Sequence, residues 1–160
     1  MSEENDPQET DLTSTKKRAL KILGSRYMSK TNMEKRLVSK GESEEAAFET
    51  AAWLEDIGAV NDREFADAIV RHYFTKGYGM GRIKDELSKR GIPRDMWDDV
   101  LSDLSGFEDN ALSFLVKKLK GSSDKNDIRK AMDALLRRGF SYNESHAALS
   151  KYNDCKEDVD

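Results

Sequence analysis

Three helical patterns in this 160-residue chain end alike, with a leucine, three intervening residues and a glycine that follows a base. They are Leu37-Val38-Ser39-Lys40-Gly41, Leu87-Ser88-Lys89-Arg90-Gly91 and Leu135-Leu136-Arg137-Arg138-Gly139, with the glycines 50 and 48 positions apart. Each ending carries the chemistry of a helix C-terminus. Glycine enters the left-handed region without a steric penalty, and a cation in the last turn meets the negative end of the helix dipole. Gly41, Gly91 and Gly139 are therefore expected to act as structural caps of a repeat, and a fixed period of this length marks tandem units.

The flanks repeat as well. A helix stripe precedes each glycine (Met33 and Leu37; Met80, Ile83 and Leu87; Ile128, Ala131, Met132 and Leu135), and another follows it (Ala47, Phe48, Ala51 and Leu54; Trp97, Val100, Leu101 and Leu104; Ala148, Leu149 and Tyr152). A third lies upstream of each pair: Leu20, Leu23 and Tyr27; Phe65, Ile69, Val70 and Tyr73; Leu112, Leu115, Val116 and Leu119. The spacing of three and four places each set on one helix face. Ser141 with Glu144 has the capping-box spacing, with Asn61 and Glu64 a close variant. Pro93 stands where a helix can begin, and no stretch reads as a strand.

The expected fold class is all-α: three tandem three-helix repeats forming an elongated body that can curve. The expected divisions are an acidic disordered tail 1–15, repeats at 16–60, 61–108 and 109–153, and a second acidic tail 154–160. A repeat of this length buries too little surface to be secure alone, so the three are expected to share interfaces.

Charge is unevenly spread along that plan. The net charge of -4 combines -5 over residues 1–15, -3 over 154–160 and +4 over the body, where the third repeat alone carries +4. Lys117, Lys118 and Lys120 close one helix of that repeat. Arg129, Lys130 and Arg137 lie off the apolar stripe of the next, with Arg138 beside its cap. These seven form a candidate partner-binding patch for phosphates or an acidic protein groove. A solvated helix face is the plainer reading, and no aromatic residue interleaves with them.

Catalytic chemistry is missing from the pattern. Gly77-Tyr78-Gly79-Met80-Gly81 follows no strand and precedes no phosphate-binding lysine, so it reads as a flexible connection between helices. His72 and His146 stand far apart, the acidic pairs Glu55-Asp56 and Asp98-Asp99 read as solvated surface, and Cys155 among acids is an unreactive thiol. Neither a catalytic residue, nor a metal ligand set, nor a cofactor is expected. The longest apolar run is four residues, Ala51-Ala52-Trp53-Leu54, and the acidic opening is unlike a secretory signal. A cytoplasmic, monomeric protein that acts without membrane or small-molecule substrate is the expectation.

With those residues in view, the body resembles the RecX family, bacterial regulators of the RecA recombinase. The resemblance is carried by Ala19-Leu20, Leu23, Arg26, Ser29 and Lys40-Gly41 in the first repeat. The best-marked stretch is Asn61-Asp62-Arg63-Glu64-Phe65-Ala66 in the second, with Ile83, Glu86-Leu87 and Arg90-Gly91-Ile92. The third contributes Arg137-Arg138-Gly139-Phe140-Ser141. Asn32 stands where the family usually carries an acid, so a contact made through that acid does not carry over. The resemblance implies three three-helix repeats, binding to RecA along the groove of RecA–DNA filaments, and restraint of filament growth, ATP hydrolysis, strand exchange and co-protease activity in recombination, DNA repair and the SOS response. It implies no catalysis. The alternative is a helical module that binds DNA by itself. Against that stand the acids at the starts of the third helices, Ser43-Glu44-Glu45, Arg94-Asp95 and Tyr142-Asn143-Glu144, which would meet phosphates badly. Weak direct DNA binding is compatible with either reading.

Overall fold

Each leucine–glycine ending closes a helix, and the hydrogen bonds show why the spacing recurs. The N–H of Glu42 donates to the Leu37 carbonyl at 3.1 Å, and the N–H of Phe140 donates to the Leu135 carbonyl at 3.1 Å. Both bonds span five residues and wrap the chain around a glycine with positive φ, +101° at Gly41 and +94° at Gly139; Gly91 lies at +72°. The leucine side chains at these ends, Leu37, Leu87 and Leu135, are wholly buried. One residue thus anchors the core and its carbonyl closes the turn.

The structure is a computed structural model that describes residues 7–157. Its regular structure among the described residues is helical throughout: α1 Pro7–Ser25, α2 Lys30–Ser39, α3 Glu44–Asp56, α4 Asp62–Thr75, α5 Met80–Lys89, α6 Trp97–Leu101, α7 Phe107–Leu119, α8 Lys125–Arg137 and α9 Tyr142–Glu157. The all-α expectation holds. The chain forms two compact units, Met1–Ala66 with Lys89–Pro93, and Asp67–Ser88 with Arg94–Asp160. This division cuts the expected second repeat. Its first six residues and its glycine turn belong to the first unit, and the rest belongs to the second.

In the first unit Ala19, Met33, Leu37, Ala47, Leu54 and Val60 form the buried core, with Ile22, Leu23 and Trp53 packed against it. In the second, Ala111, Leu115, Leu119, Ala131, Leu135, Phe140, Ala148 and Tyr152 are buried together. Small residues occupy the tightest positions and draw the helices close. Four large residues expected in the stripes turn outward instead: Leu20, Tyr27, Phe48 and Val116 are all exposed, Phe48 by 59%.

Other helix bounds depart from expectation. α1 begins at Pro7, within the stretch expected as a tail; near its middle Thr15 is buried and its hydroxyl donates to Glu42 Oε2 at 2.7 Å. α9 likewise runs to Glu157, into the second expected tail. Residues 1–6 and 158–160 of those tails lie outside the described residues. α6 is a single turn-and-a-half preceded by a 3₁₀ turn at Arg94–Met96, and Leu104 lies beyond its end. The capping box at the start of α9 is complete: Ser141 Oγ accepts from the Glu144 N–H at 3.1 Å and Glu144 Oε1 accepts from the Ser141 N–H at 2.9 Å.

Candidate functional site

The seven candidate patch residues all fall in the second unit, on two helices that pack together. Lys117 and Lys118 occupy the last turn of α7, with Lys120 as its C-cap at φ +50°. Arg129, Lys130 and Arg137 are exposed on α8, opposite or beside the buried Ala131–Leu135 stripe. The helical repeat places Lys130 and Arg137 along one outward line, with Asp133 between Arg129 and Arg137 at intervals of four. Arg138 is different. Its guanidinium lies over the Tyr78 ring at 4.6 Å and the Phe114 ring at 5.0 Å, which fixes it against the body of the unit. Six of the seven are therefore presented outward, and the seventh packs.

The glycine-rich segment is a joint, which corrects its reading as a flexible connection. Gly79 is buried, its N–H donates to the Arg138 carbonyl at 2.9 Å, and the Gly81 N–H donates to the Gly139 carbonyl at 2.9 Å. A Cβ on Gly79 would stand 2.4 Å from the Gly139 carbonyl carbon, and one on Gly139 would stand 2.2 Å from the Arg82 nitrogen. Only bare backbone fits on either side. The first unit has a counterpart. Gly91 faces the start of α2, where a Cβ would meet Asn32 Oδ1 at 2.5 Å and Ser29 Oγ at 2.7 Å. Asn32 Nδ2 donates to the Lys89 carbonyl at 3.2 Å. In both units the glycine turn after one repeat's second helix seats on the N-terminus of the second helix before it.

Asn61–Ala66, the stretch most specific to the family resemblance, organises the first unit around that N-terminus. Asp62 Oδ1 accepts from the Lys30 N–H at 2.9 Å, while Ser29 Oγ accepts from the Asn32 N–H at 3.2 Å, so two of the orphan donors of α2 are satisfied. Burial pushes the Asp62 carboxyl above its ordinary value of 3.8; the Lys30 N–H opposes that shift and nearby Glu55 adds to it. The Tyr27 hydroxyl accepts from the Asn61 N–H at 2.8 Å and donates to the Asn61 carbonyl at 3.3 Å. Phe65 meets the Tyr27 ring edge-on at a centroid distance of 4.9 Å.

Next to this seam the same unit opens a cavity of about 700 Å³. Every charged residue lining it is a cation: Arg26, Lys35, Arg36, Lys89 and Arg90. Tyr27, 42% exposed, lines it too. These bases are scattered over 65 positions of sequence, and the Gly91 turn brings the last two to the first three. Linear charge counting misses them because the first repeat sums to only +2 and the second to -2, their acids lying outside the cavity lining.

Among the described residues the two histidines and the cysteine lie apart from this cavity. His72 is exposed with its ring against Tyr73, and His146 is exposed with its ring 4.0 Å from Tyr142. Cys155 is an exposed free thiol. Among the described residues no group of three or more His, Cys, Asp or Glu could hold a metal ion, and no helix is long and apolar enough to cross a membrane.

Comparison with known proteins places these features in a family. The family model for the second three-helix domain of RecX matches residues 61–101. The regulatory protein RecX of Xanthomonas axonopodis pv. citri (strain 306) is 33% identical over 134 residues, covering 82% of this chain and 83% of that protein. The regulatory protein RecX of Stenotrophomonas maltophilia (strain R551-3) is 32% identical over 127 residues, 77% of each chain. Among solved structures, that of RecX from Lactobacillus salivarius superposes with a TM-score of 0.76 at 25% identity, covering 90% of this chain and 97% of that one.

Proposed function

This chain belongs to the RecX family of regulatory proteins, and from that premise we propose that it binds the RecA recombinase on its DNA filament and restrains filament growth, ATP hydrolysis, strand exchange and co-protease activity. The observation that carries the reading is the family match over most of the chain, joined to a body made of repeated helical turns. A filament offers identical surfaces at fixed intervals. A protein with several like helical ends can engage neighbouring subunits together and gain effective concentration without any single strong contact. Binding one filament state better than another then shifts the filament toward that state. In this reading the protein acts as a cytoplasmic monomer and without chemistry of its own.

The outward cations Lys117, Lys118, Lys120, Arg129, Lys130 and Arg137 are the proposed partner contact of the second unit, with Arg138 as the residue that ties their glycine turn to Tyr78 and Phe114. The test is RecA's DNA-dependent ATPase with substoichiometric amounts of this chain. Inhibition is expected, and charge reversal at Arg129, Lys130 and Arg137 should weaken it. An unchanged ATPase and unchanged filament length with the chain in excess would overturn the proposal, and an unchanged inhibition curve for the reversed variant would remove the patch from it.

A further inference from the structure

We propose that Lys120 is the residue of the second unit that grips a carboxylate on the RecA surface, and that the chain accepts a local loss of stability to hold a lysine there. This role rests on the filament reading and narrows it from a patch of cations to one fixed contact.

The backbone sets Lys120 apart. Among the described residues, seven glycines and one other residue, Lys120, have positive φ. Lys120 lies at φ +50° and ψ +40°, in the left-handed region where a Cβ crowds the following carbonyl oxygen and glycine does not. At Gly41, Gly91 and Gly139 the chain meets the same need with glycine. At the end of α7 the glycine comes one place late, Gly121 at φ +85°, so two left-handed residues follow each other. Strain of this kind persists only where the surroundings hold it. Here α9 supplies the hold. The Tyr152 hydroxyl donates to the Ser122 carbonyl at 3.0 Å, and the Lys156 ammonium donates to the Gly121 carbonyl and to Ser123 Oγ. The Ser122 N–H closes the turn on the Leu119 carbonyl at 2.9 Å.

Inside the protein a lysine gains nothing at this position. A cation here would offset the negative end of the α7 dipole, but Lys117 and Lys118 in the last turn already do so, and Lys156 serves the loop carbonyl. Lys120 adds one more positive charge to that crowd. Its side chain is exposed and makes no hydrogen bond or ion pair among the described residues. A residue that lowers stability through backbone strain and charge repulsion, with no internal contact in return, fits a site kept for an outside contact.

The surroundings choose the anion. Asp124 and Asp127 are exposed in the stretch that follows, Asp124 capping α8 and Asp127 accepting from Ser122 Oγ at 2.7 Å. A strand of phosphates drawn to Lys120 would bring further negative charge against those acids. A lone Asp or Glu side chain on a protein surface meets the ammonium without that repulsion. The clamped turn also presents the lysine from a fixed backbone, which lowers the ordering cost of binding.

The test compares variants of the full chain. Lys120→Gly should raise the urea midpoint by about 0.3 M, net of the greater freedom of glycine in the unfolded chain. The same variant should require about fivefold more protein to halve RecA's DNA-dependent ATPase, as for the loss of one interfacial charge pair. Lys120→Arg keeps the charge and the strained backbone, so it should hold most of the inhibition and gain no stability. Lys118→Gln, at an ordinary helical position, should show no rise in midpoint. Anisotropy of labelled oligo-dT without RecA should not distinguish Lys120→Gly from the parent. Inhibition by Lys120→Gly equal to the parent's, or a urea midpoint that fails to rise, would overturn the role. A matching loss of oligo-dT affinity would overturn the carboxylate assignment in favour of phosphate. A parent chain that leaves the ATPase untouched would overturn the filament reading and this role with it, so the parent alone tells the two failures apart.

Discussion

Replacing Gly139 by alanine should destabilise the protein far more than the same change at Gly41, although both are helix-ending glycines of the same repeat pattern. Their backbones are nearly alike, at φ +94° and +101°, so the left-handed penalty for a Cβ, about 1–2 kcal/mol, is common to both. Space is what differs. At Gly41 a Cβ meets no heavy atom within 4 Å. At Gly139 it would stand 2.2 Å from the Arg82 nitrogen, 2.8 Å from its Cβ and 3.0 Å from its Cα. Backbone atoms of a helix cannot swing aside as a side-chain tip can, so α5 must retreat or the turn must deform. Either response strains the bonds from Gly79 N–H to Arg138 and from Gly81 N–H to Gly139. Overpacking of this kind costs about 1–3 kcal/mol, and breaking a backbone bond costs on the same scale. Gly139→Ala should therefore lose roughly 2 kcal/mol more than Gly41→Ala. Gly79→Ala carries no left-handed penalty, since Gly79 is not among the positive-φ residues, yet it meets the same joint from the other side and should lose about 2 kcal/mol as well. Urea unfolding, followed by circular dichroism and by Trp97 fluorescence in a Trp53→Phe background, measures all three. Losses at Gly139 and Gly41 that agree within about 0.5 kcal/mol would refute the steric account.

Two further perturbations probe the first unit and the last helix. Asp62 has its carboxyl pushed up by burial, so the folded protein holds that proton more tightly than the unfolded chain does. The resulting contribution is fully present below the ordinary value of 3.8 and is lost as pH rises through the higher folded value. Asp62→Asn keeps an acceptor for the Lys30 N–H and removes the titration. Its stability relative to the parent should therefore improve as pH rises across that window, and parallel urea midpoints for the two proteins from acid to neutral pH would contradict this. Ser141→Ala breaks the capping box of α9 and should lose about 1 kcal/mol in thermal or urea unfolding; no measurable loss would mean that water replaces the cap.

Much of the architecture is written in local chemistry. The turn at Gly41, Gly91 or Gly139 needs only a glycine and a buried leucine four residues earlier, so it is readable in any window that contains both. The capping box of Ser141 and Glu144 is likewise a contact across three residues. What a linear reading misses is set by distant backbone. Gly79 has no local reason to be rigid; it is held by the Arg138 carbonyl, far along the chain. Leu20 and Phe48 satisfy a helical stripe as well as their smaller neighbours do, yet Ala19 and Ala47 take the interior because they let helices approach. The cationic groove is the clearest case. Its five bases come from separate segments, and the acids that cancel them in a charge count lie outside its lining. The third-repeat patch is visible because its bases cluster in sequence, and Arg138 shows that such clustering does not decide whether a cation is free.

The glycine joint also bears on how a chain of this kind could change its number of repeats. Gly91 and Gly139 are each lodged against an earlier helix start, while Gly41 faces open space. The start of α8 is closed by its own residue, Asp124, whose side chain accepts from the Asn126 and Asp127 N–H groups. Among the described residues the glycine turn of the first repeat thus meets no helix start, and the start of α8 receives no glycine turn. An in-frame duplication of the 50 residues from Glu42 to Gly91 would copy one socket, the start of α5, and one plug, Gly91, together. A lengthened gene product could then register its new segment by glycine turns seated on helix starts, and deletion of that stretch would leave the flanking pieces still compatible. Length can vary by whole periods while the first and third repeats stay as they are.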